Sequence, residues 1–302
     1  MTTDYRLSTI DYPVFPPRRP YVLPLPGHRR LVLGERPLVV GILNVTPDSF
    51  AETEDHQSVA AAVDAGLRMA AAGADVLDVG GESTRPGAEA VSADVELARV
   101  LPVVRELARR LTIPLSIDTS KAEVARQALD AGAAIVNDVS GLRREPDLAG
   151  VVARAGAGLV LMHSRGRSDA MYDEARYADL MGEIIRELRA GIATAAAAGV
   201  AIDRLVIDPG IGFAKQPAHS YGVLARLPQL ADACDRPLLV GPSRKSFMRE
   251  ALDGRPAAER DWGTAAAVTA AVLGGAHLIR VHAVGEMAQV VRVAEEIRRH
   301  AH

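Results

Sequence analysis

The sequence predicts a closed (β/α)₈ barrel, the TIM barrel, with eight parallel strands inside and helices outside. This prediction rests on the alternation of apolar runs with helical stretches and on the number of repeats. Runs of four to six aliphatic residues recur along the chain, and each is followed by a polar cluster and then by a helical stretch rich in Ala, Leu, Arg and Glu. Short apolar strands that alternate with helices are typical of a parallel sheet covered by helices. Eight such repeats favour closure into a barrel.

The predicted elements follow one another from residue 38 to residue 299. Strands are predicted over 38–43, 75–80, 114–118, 133–137, 158–162, 204–208, 237–241 and 277–281. Helices are predicted over 57–72, 92–110, 121–131, 146–155, 177–199, 220–231, 261–274 and 285–299. Several helices end at a glycine, a preferred C-cap residue, just before the next strand. An open doubly wound sheet is the alternative, but its usual G-x-G-x-x-G fingerprint is missing.

The segment that precedes the first barrel strand is rich in Pro and Arg. We predict an irregular arm over 1–30 and a single barrel domain over 31–302. The stretch RLVLGERPLVV, which begins at Arg30, predicts a short hairpin turned at Gly34 that leads into the first barrel strand.

Composition narrows the classes of partner. The net charge is −3 and the pI is near 6.3, which does not favour nucleic-acid binding. The single cysteine, Cys234, excludes an intrachain disulfide and favours a reducing compartment. No apolar run reaches 18 residues, so we expect no membrane-spanning helix. We therefore expect a cytoplasmic protein that acts on small molecules and binds neither nucleic acid nor membrane.

Polar side chains occur near the carboxyl ends of all eight predicted strands, which form the active edge of such a barrel. The set comprises Asn44, Asp78, Asp118, Asn137, Asp138, His163, Asp208, Ser243, Lys245, Arg280 and His282. Buried carboxylates beside an amide suit a heterocycle with adjacent N–H donors, because such donors offset the cost of burying charge. Asp118, Asp208 and Asn137 provide this combination.

The opposite charge suits a phosphate group. It is supplied by Lys245, Arg280, His282 and Arg85. Asn44 beside Asp48 suits Mg²⁺, which takes one or two protein oxygens and completes its shell with phosphate oxygens. The histidines lack the spacing of a zinc site. We interpret Met162 as a core or pocket-wall residue and the glycines of DPGIGFAK, 208–215, as a weak phosphate signature.

Eight fragments in order carry a resemblance to a known family. They are GILNVTPDSF, DVGGESTRPGA, SIDTSKAEVA, NDVSG, LMH, DPGIGF, SRKSF and IRVH. Over about residues 38 to 299 the chain resembles the dihydropteroate synthases of folate biosynthesis. The resemblance implies condensation of 6-hydroxymethyl-7,8-dihydropterin diphosphate with 4-aminobenzoate, which gives 7,8-dihydropteroate and diphosphate with Mg²⁺ as cofactor. It also implies a homodimer.

The resemblance assigns roles to individual positions. It implies Mg²⁺ at Asn44 and catalytic roles for Asp118, Lys245, Arg280 and His282. The implied substrate-binding residues are Asp78, Thr84, Arg85, Asp118, Asn137, Met162, Asp208, Phe213, Ser243, Lys245, Arg280 and His282. The resemblance further implies that Asp118 stabilises a pterin cation, while Arg280 and His282 stabilise the departing diphosphate.

The chain departs from the usual family pattern at three places. In the first loop, Ala51–Glu54 replaces the usual Ser-Asp-Gly-Gly. After LMH, Ser164 replaces the usual Met or similar residue, and after RVH, Ala283 replaces the usual Asp. These departures resemble a sulfonamide-insensitive branch of the family and imply such a variant. Two alternatives stay open, namely an inactive pterin-binding paralogue and a methyltetrahydrofolate-dependent methyltransferase. The STRPG and SRKS motifs argue against the methyltransferase.

Overall fold

The computed structural model describes residues 15–46, 55–83, 90–166 and 175–301. Its first elements are two antiparallel strands, β1 (Tyr21–Pro24) and β2 (Arg30–Leu33). Gly27 and His28 have positive φ angles in the turn between them. A reversal of this kind favours glycine, which adopts such angles without steric cost.

The sequence prediction placed the turn of the hairpin at Gly34 and was wrong. Gly34 follows β2 with a φ of 114°, where the chain passes close to Arg19 and Pro20. A Cβ atom at position 34 would lie 2.7 Å from the Arg19 carbonyl oxygen, so glycine permits a close approach there rather than a reversal. The predicted arm over 1–30 therefore contains β1, and residues 1–14 lie outside the described part of the chain.

Eight parallel strands form a second sheet, and they confirm the predicted barrel. The strands are β3 (Leu38–Asn44), β4 (Val76–Gly80), β5 (Leu115–Asp118), β6 (Ile135–Asp138), β7 (Gly158–Met162), β8 (Leu205–Asp208), β9 (Leu239–Val240) and β10 (Leu278–Val281). Their spatial order is β8-β7-β6-β5-β4-β3-β10-β9. A parallel bridge between Ile207 and Leu238 joins the two ends, so the sheet closes on itself.

Helices alternate with the barrel strands on the outside. They are α1 (Asp55–Ala71), α2 (Ala93–Arg110), α3 (Ala122–Asp130), α4 (Asp147–Ala155), α5 (Leu180–Ala197), α6 (Pro217–Leu224), α7 (Leu227–Cys234), α8 (Asp261–Leu273) and α9 (Val284–Arg299). The single helix predicted over 220–231 is instead two helices, α6 and α7. Pro228 lies in the first turn of α7, and a proline breaks a continuous helix because its ring displaces the preceding turn. In the described part, no helix is long and apolar enough to cross a membrane.

Alternate residues of each strand pack into two hydrophobic cores. One core lies between the barrel and its helices, and the other fills the barrel interior. Leu23, Leu25 and Leu33 of the hairpin belong to the interior core, and none is more than 3% exposed. Full burial of one leucine contributes about 1.5–3 kcal/mol. The hairpin therefore closes the amino-terminal end of the barrel and leaves the carboxyl end of the strands as the open end.

A buried ion pair fixes the residues that precede the hairpin. Arg18 Nη2 lies 2.8 Å from Glu295 Oε2 of α9, and Arg18 Nη1 lies 3.1 Å from Oε1 of the same carboxylate. Arg18 Nε also donates to the Ala276 carbonyl oxygen at 2.9 Å. Arginine is suited to such a bidentate ion pair with a carboxylate. The pair attaches the chain to the end of the barrel opposite the polar strand ends.

Candidate active site

Many of the predicted site residues lie at strand positions that face the barrel interior. The interior apolar positions include Val76, Ile135, Val160, Val206 and Leu278. Two residues further along these strands come Asp78, Asn137, Met162, Asp208 and Arg280. Side chains two residues apart on a strand point to the same face, so this second set forms the next interior layer towards the carboxyl ends.

Arg280 lies at the centre of this layer. Its Nε donates to Asp78 Oδ2 at 2.7 Å, and its Nη2 donates to Asp118 Oδ2 at 2.6 Å. Asn137 Nδ2 donates to the same Asp78 oxygen at 2.9 Å. Asp78 is only 1% exposed. The sequence interpretation assigned Arg280 to a diphosphate, which stays a prediction, whereas in the structure its guanidinium pairs with two buried carboxylates.

Two carboxylate oxygens in this layer have an unused capacity to accept hydrogen bonds. Asp78 Oδ1 and Asp118 Oδ1 are buried and have no hydrogen-bond partner among the described residues. Leaving a buried acceptor without a partner costs about 1–3 kcal/mol. A ligand that brings N–H donors into the barrel would offset this cost, so the layer is suited to a donor-rich ring.

Burial controls the charge of these carboxylates. It raises the pKa of Asp118 from 3.8 to about 7, although the charge of Arg280 opposes the shift. Burial also raises the pKa of Asp208, while Lys245 and a hydrogen bond of 2.7 Å from the Gly210 N–H oppose that shift. The site therefore contains carboxyl groups whose ionisation depends on their neighbours.

Lys245 approaches the same layer from the loop after β9. Its Nζ donates to the Ile211 carbonyl oxygen at 2.6 Å and lies 4.1 Å from the centre of the Phe213 ring. Burial lowers the pKa of Lys245 to about 7, and the charge of Asp208 opposes this shift. Within the described residues, the ammonium group is thus held by a carbonyl and an aromatic face rather than by a direct ion pair.

The remaining predicted residues line the rim. Ser243 Oγ lies 2.9 Å from His282 Nδ1 and also accepts the His282 backbone N–H at 3.2 Å. Asn44 ends β3 beside Gly80, where a Cβ would lie 3.9 Å from Asn44 Oδ1 and 3.8 Å from Asp118 Oδ2. The structure therefore brings the carboxylate layer and the rim residues to one end of the barrel. Thr84, Arg85, Asp48 and the substituted loop 51–54 lie outside the described residues.

Two of the polar strand-end residues face away from the barrel interior, contrary to the sequence interpretation. Asp138 follows the interior position Asn137, and its carboxylate accepts the backbone N–H groups of Ser140 and Leu142 at 2.8 and 2.6 Å. His163 follows Met162 and lies 3.0 Å from Glu187 of α5 through its Nε2. Because side chains alternate along a strand, neighbouring polar residues cannot both reach the same site.

A cavity of about 240 Å³ lies on this outer side of β7. Its lining includes Leu161, His163, Glu187, Leu188 and Thr194. The cavity is therefore formed between the barrel wall and α5. Of the interior layer, Met162 contributes to its lining.

Sequence reasoning gave no site role to Lys215, which is 1% exposed and whose Nζ lies 2.8 Å from His163 Nδ1. The sequence does contain a signal for it, because only three of the 35 basic residues are lysine. They are Lys121, Lys215 and Lys245.

Comparisons of sequence and of structure with known proteins match this chain to the same family of enzymes. Residues 40–282 match the family described as pterin binding enzyme. A dihydropteroate synthase from Synechocystis sp. is 45% identical over 290 residues, which are 96% of this chain and 97% of that protein. The crystal structure of Xanthomonas albilineans dihydropteroate synthase with 4-aminobenzoic acid is 43% identical with a TM-score of 0.84, covering 91% of this chain and 98% of that one. Burkholderia cenocepacia dihydropteroate synthase complexed with 7,8-dihydropteroate is 40% identical with a TM-score of 0.84, covering 93% and 98%.

Proposed function

Because this chain belongs to the dihydropteroate synthase family of pterin-binding enzymes, we propose that it joins 6-hydroxymethyl-7,8-dihydropterin diphosphate to 4-aminobenzoate. The products are 7,8-dihydropteroate and diphosphate. The observation that carries the proposal is the interior layer of Asp78, Asp118 and Asn137 around Arg280, in which two buried carboxylate oxygens have no partner among the described residues. Such a layer matches the donor-rich aminopyrimidine edge of a pterin.

Pterin binding uses the interior layer. The ring N–H and amino groups donate to the free oxygen of Asp118 and to Asp208, while Asn137 offers an amide to the same edge. Met162 forms part of the apolar wall. These hydrogen bonds take the place of water around buried carboxylates, so the ring binds where the carboxylates most need donors.

The reaction breaks one carbon–oxygen bond and forms one carbon–nitrogen bond. The electron pair of the broken bond leaves with the diphosphate, and positive charge develops on the pterin. Ionised Asp118 stabilises that charge, and the amine of 4-aminobenzoate then attacks the exocyclic carbon and releases one proton. The protein therefore acts through fixed charges placed where charge develops.

The rim is suited to the anionic leaving group. Arg280, His282 and Ser243 lie together at the ends of neighbouring strands and offer donors to phosphate oxygens. Lys245 and Phe213 reach the interior layer from the loops after β9 and β8 and contact each other, with Lys245 Nζ 4.1 Å from the centre of the Phe213 ring, so we assign them together to one side of the pterin ring. Thr84 and Arg85, although outside the described residues, remain proposed contacts of 4-aminobenzoate or the diphosphate.

We also propose that Mg²⁺ assists the reaction. In the described part of the chain, no three His, Cys, Asp or Glu side chains group closely enough to hold a metal by themselves. The amide oxygen of Asn44 fits the usual preference of Mg²⁺ for one or two protein oxygens together with substrate phosphates. When bound, the ion would neutralise part of the charge on the diphosphate.

The homodimer implied by the family resemblance has support from two adjacent helices. On α8, Trp262 is 88% exposed, and on α9, Val293 and Ile297 are 62% and 51% exposed. Large apolar side chains left exposed on two neighbouring helices are candidates for burial in a protein interface. We propose that a second copy of the chain covers this face, and that the dimer acts in the cytoplasm.

The test is direct product formation. Purified protein with both substrates and Mg²⁺ should release diphosphate and form 7,8-dihydropteroate in equal amounts, and only when 4-aminobenzoate is present. Pterin binding without turnover would instead support the inactive paralogue, which the relatives do not favour. Transfer of a methyl group from methyltetrahydrofolate would support the methyltransferase, which they also do not favour. Repeating the assay with a sulfonamide tests the insensitive variant, which stays a prediction.

A further inference from the structure

Lysine is almost absent from this sequence, yet all three lysines lie at the carboxyl end of the barrel. The other 32 basic residues are arginine. Lys121 follows β5, Lys215 ends the loop after β8, and Lys245 lies in the loop after β9. Arginine and lysine serve equally well on a solvated surface, but only lysine provides a compact ammonium on a flexible stem. A sequence this rich in arginine keeps lysine where the ammonium itself is needed.

Lys215 is the most buried of the three. Its Nζ lies 2.8 Å from His163 Nδ1, 3.1 Å from the Phe213 carbonyl oxygen and 3.5 Å from the His163 carbonyl oxygen. These three partners are neutral acceptors, and an ammonium group has three N–H donors. Burial lowers the pKa of Lys215 well below its ordinary value, and the negative charge of Asp208 opposes that shift.

His163 connects Lys215 to helix α5 through a second hydrogen bond. Since Nδ1 accepts from Lys215, Nε2 carries the proton and donates to Glu187 Oε2 at 3.0 Å. Burial and the charge of Lys215 lower the pKa of His163 to about 4, which keeps the ring neutral. Burial favours the neutral form of Glu187, but hydrogen bonds from His163 and Arg165 outweigh it and lower its pKa to about 2. The histidine is therefore fixed in one tautomer between a lysine and a carboxylate.

The same contacts hold the loop 209–215 against the end of β7. Gly210 has a φ of 66°, and a Cβ there would lie 1.9 Å from the His163 carbonyl oxygen. Tyr177 donates from its hydroxyl to the Ala214 carbonyl oxygen at 2.9 Å. Lys215 donates a hydrogen bond to the Phe213 carbonyl oxygen, and the Phe213 ring makes a cation–π contact with Lys245.

We propose that Lys215 is a positioning residue for the reaction, which acts by docking the loop 209–215 on His163. The docked loop sets the Ile211 carbonyl oxygen and the Phe213 ring that hold the Lys245 ammonium in the interior layer. This inference rests on the proposed function for its kinetic consequences, but the position of Lys245 does not depend on turnover. Lys215 itself contacts the loop and His163, so its influence on the substrate passes through Phe213 and Lys245.

The first test measures Lys245 by NMR. With ¹⁵N-labelled lysine the wild-type protein has only three lysine side-chain signals to assign, and Lys245 should titrate near pH 7. In Lys215→Met, a neighbouring positive charge is lost and the loop is less tightly docked. Loss of that charge favours the ammonium form, and an undocked loop admits water and relieves the burial that lowers the pKa of Lys245. Because burial is the largest cause of the shift, its relief outweighs the loss of the Ile211 and Phe213 contacts, and the pKa of Lys245 should rise towards its ordinary value of about 10.5.

The second test is kinetic. In Lys215→Met, kcat/KM for the pterin diphosphate should fall about 10–100-fold, as expected for misplaced contact groups, and the alkaline limb of its pH profile should move to higher pH. Lys215→Arg keeps the charge and should also lose activity, because a planar guanidinium cannot satisfy the three acceptors around Nζ. This second variant retains a buried cation, so it keeps the test usable if Lys215→Met does not fold.

Arg18→Met is the matched control. It removes another buried cation, at the far end of the barrel, and should lower Tm while the Lys245 titration and kcat/KM stay as in the wild type. If Lys215→Met or Lys215→Arg behaves like this control, Lys215 is only structural and the proposal is wrong. If the wild type forms no dihydropteroate, the proposed function fails, and the NMR titration still decides whether Lys215 positions Lys245.

Discussion

Replacing Asp118 by Asn should make the protein more stable and much less active. Burial raises the pKa of Asp118 from 3.8 to about 7, a shift of about three units. Each unit corresponds to about 1.4 kcal/mol, so ionisation of the carboxyl costs the folded state on the order of 4 kcal/mol. The attraction of Arg280 at 2.6 Å is already part of this net shift. Asn copies the neutral form and avoids the cost.

The pH dependence of this gain has a definite sign. Between about pH 4 and pH 7 the unfolded chain releases the Asp118 proton while the folded protein keeps it. Unfolding is therefore favoured as pH rises, and the wild type loses stability relative to Asp118→Asn until the folded carboxyl also ionises near pH 7. The difference in Tm between variant and wild type should be small near pH 4 and largest above pH 7.

The activity should change in the opposite direction. Asn cannot neutralise the developing pterin cation, so kcat should fall about 10²–10³-fold, the typical effect of losing one electrostatic contact to a transition state. Thermal unfolding from pH 4 to pH 9, together with steady-state kinetics, measures both effects. Asp75→Asn is the control, because Asp75 pairs with Arg36 at the far end of the barrel and should leave kcat unchanged.

Two results would contradict this assignment of Asp118. One is near-normal kcat in Asp118→Asn, which would remove the cation-stabilising role. The other is a variant that is less stable than the wild type at pH 8, which would mean that the ionised carboxylate stabilises the fold.

Three further outcomes follow from the structure. The pH profile of kcat/KM should be bell-shaped around pH 7, because the reaction requires ionised Asp118 and protonated Lys245, and burial brings both pKa values to about 7. A flat profile from pH 6 to pH 8 would contradict this. Gly210→Ala should lower the free energy of unfolding by about 2–4 kcal/mol, because a Cβ there is strained by the positive φ and would clash with the His163 carbonyl oxygen. Gly27→Ala, a control with positive φ but open space around it, should lower it by only about 1 kcal/mol. Equal losses for the two variants in denaturant unfolding would be inconsistent with loop docking. Trp262→Glu should convert a dimer to a monomer in analytical ultracentrifugation, and an unchanged sedimentation coefficient would exclude this face as the interface.

The barrel itself was predictable because the strands are short, mainly apolar runs that alternate with helical stretches. A strand buried on both faces shows no alternation, so its position is clear from the sequence, as at Leu38–Asn44. The hairpin was misplaced because two glycines, Gly27 and Gly34, both resemble turn residues. Only the packing of the chain against Arg19 and Pro20 shows that Gly34 serves close approach.

The composition of the site was predictable, but its internal pairing was not. Strand ends identify Asp78, Asp118 and Arg280 as neighbours of one cavity. Their hydrogen bonds depend on the stagger between strands that lie far apart in sequence, such as β4 and β10. The same limit applies to Lys215, whose contact with His163 joins residues 52 positions apart. Strand parity could have excluded Asp138 and His163 from the interior, because each directly follows an inward-facing residue.

The most direct measurement is a crystal structure of this enzyme with 7,8-dihydropteroate. We predict that the pterin ring lies inside the barrel mouth, with its donor edge on Asp118 and Asp208 and with Lys245 and Phe213 beside it. A pterin ring bound outside the barrel, for example in the cavity between β7 and α5, would contradict the assignment of the interior carboxylate layer as the pterin site.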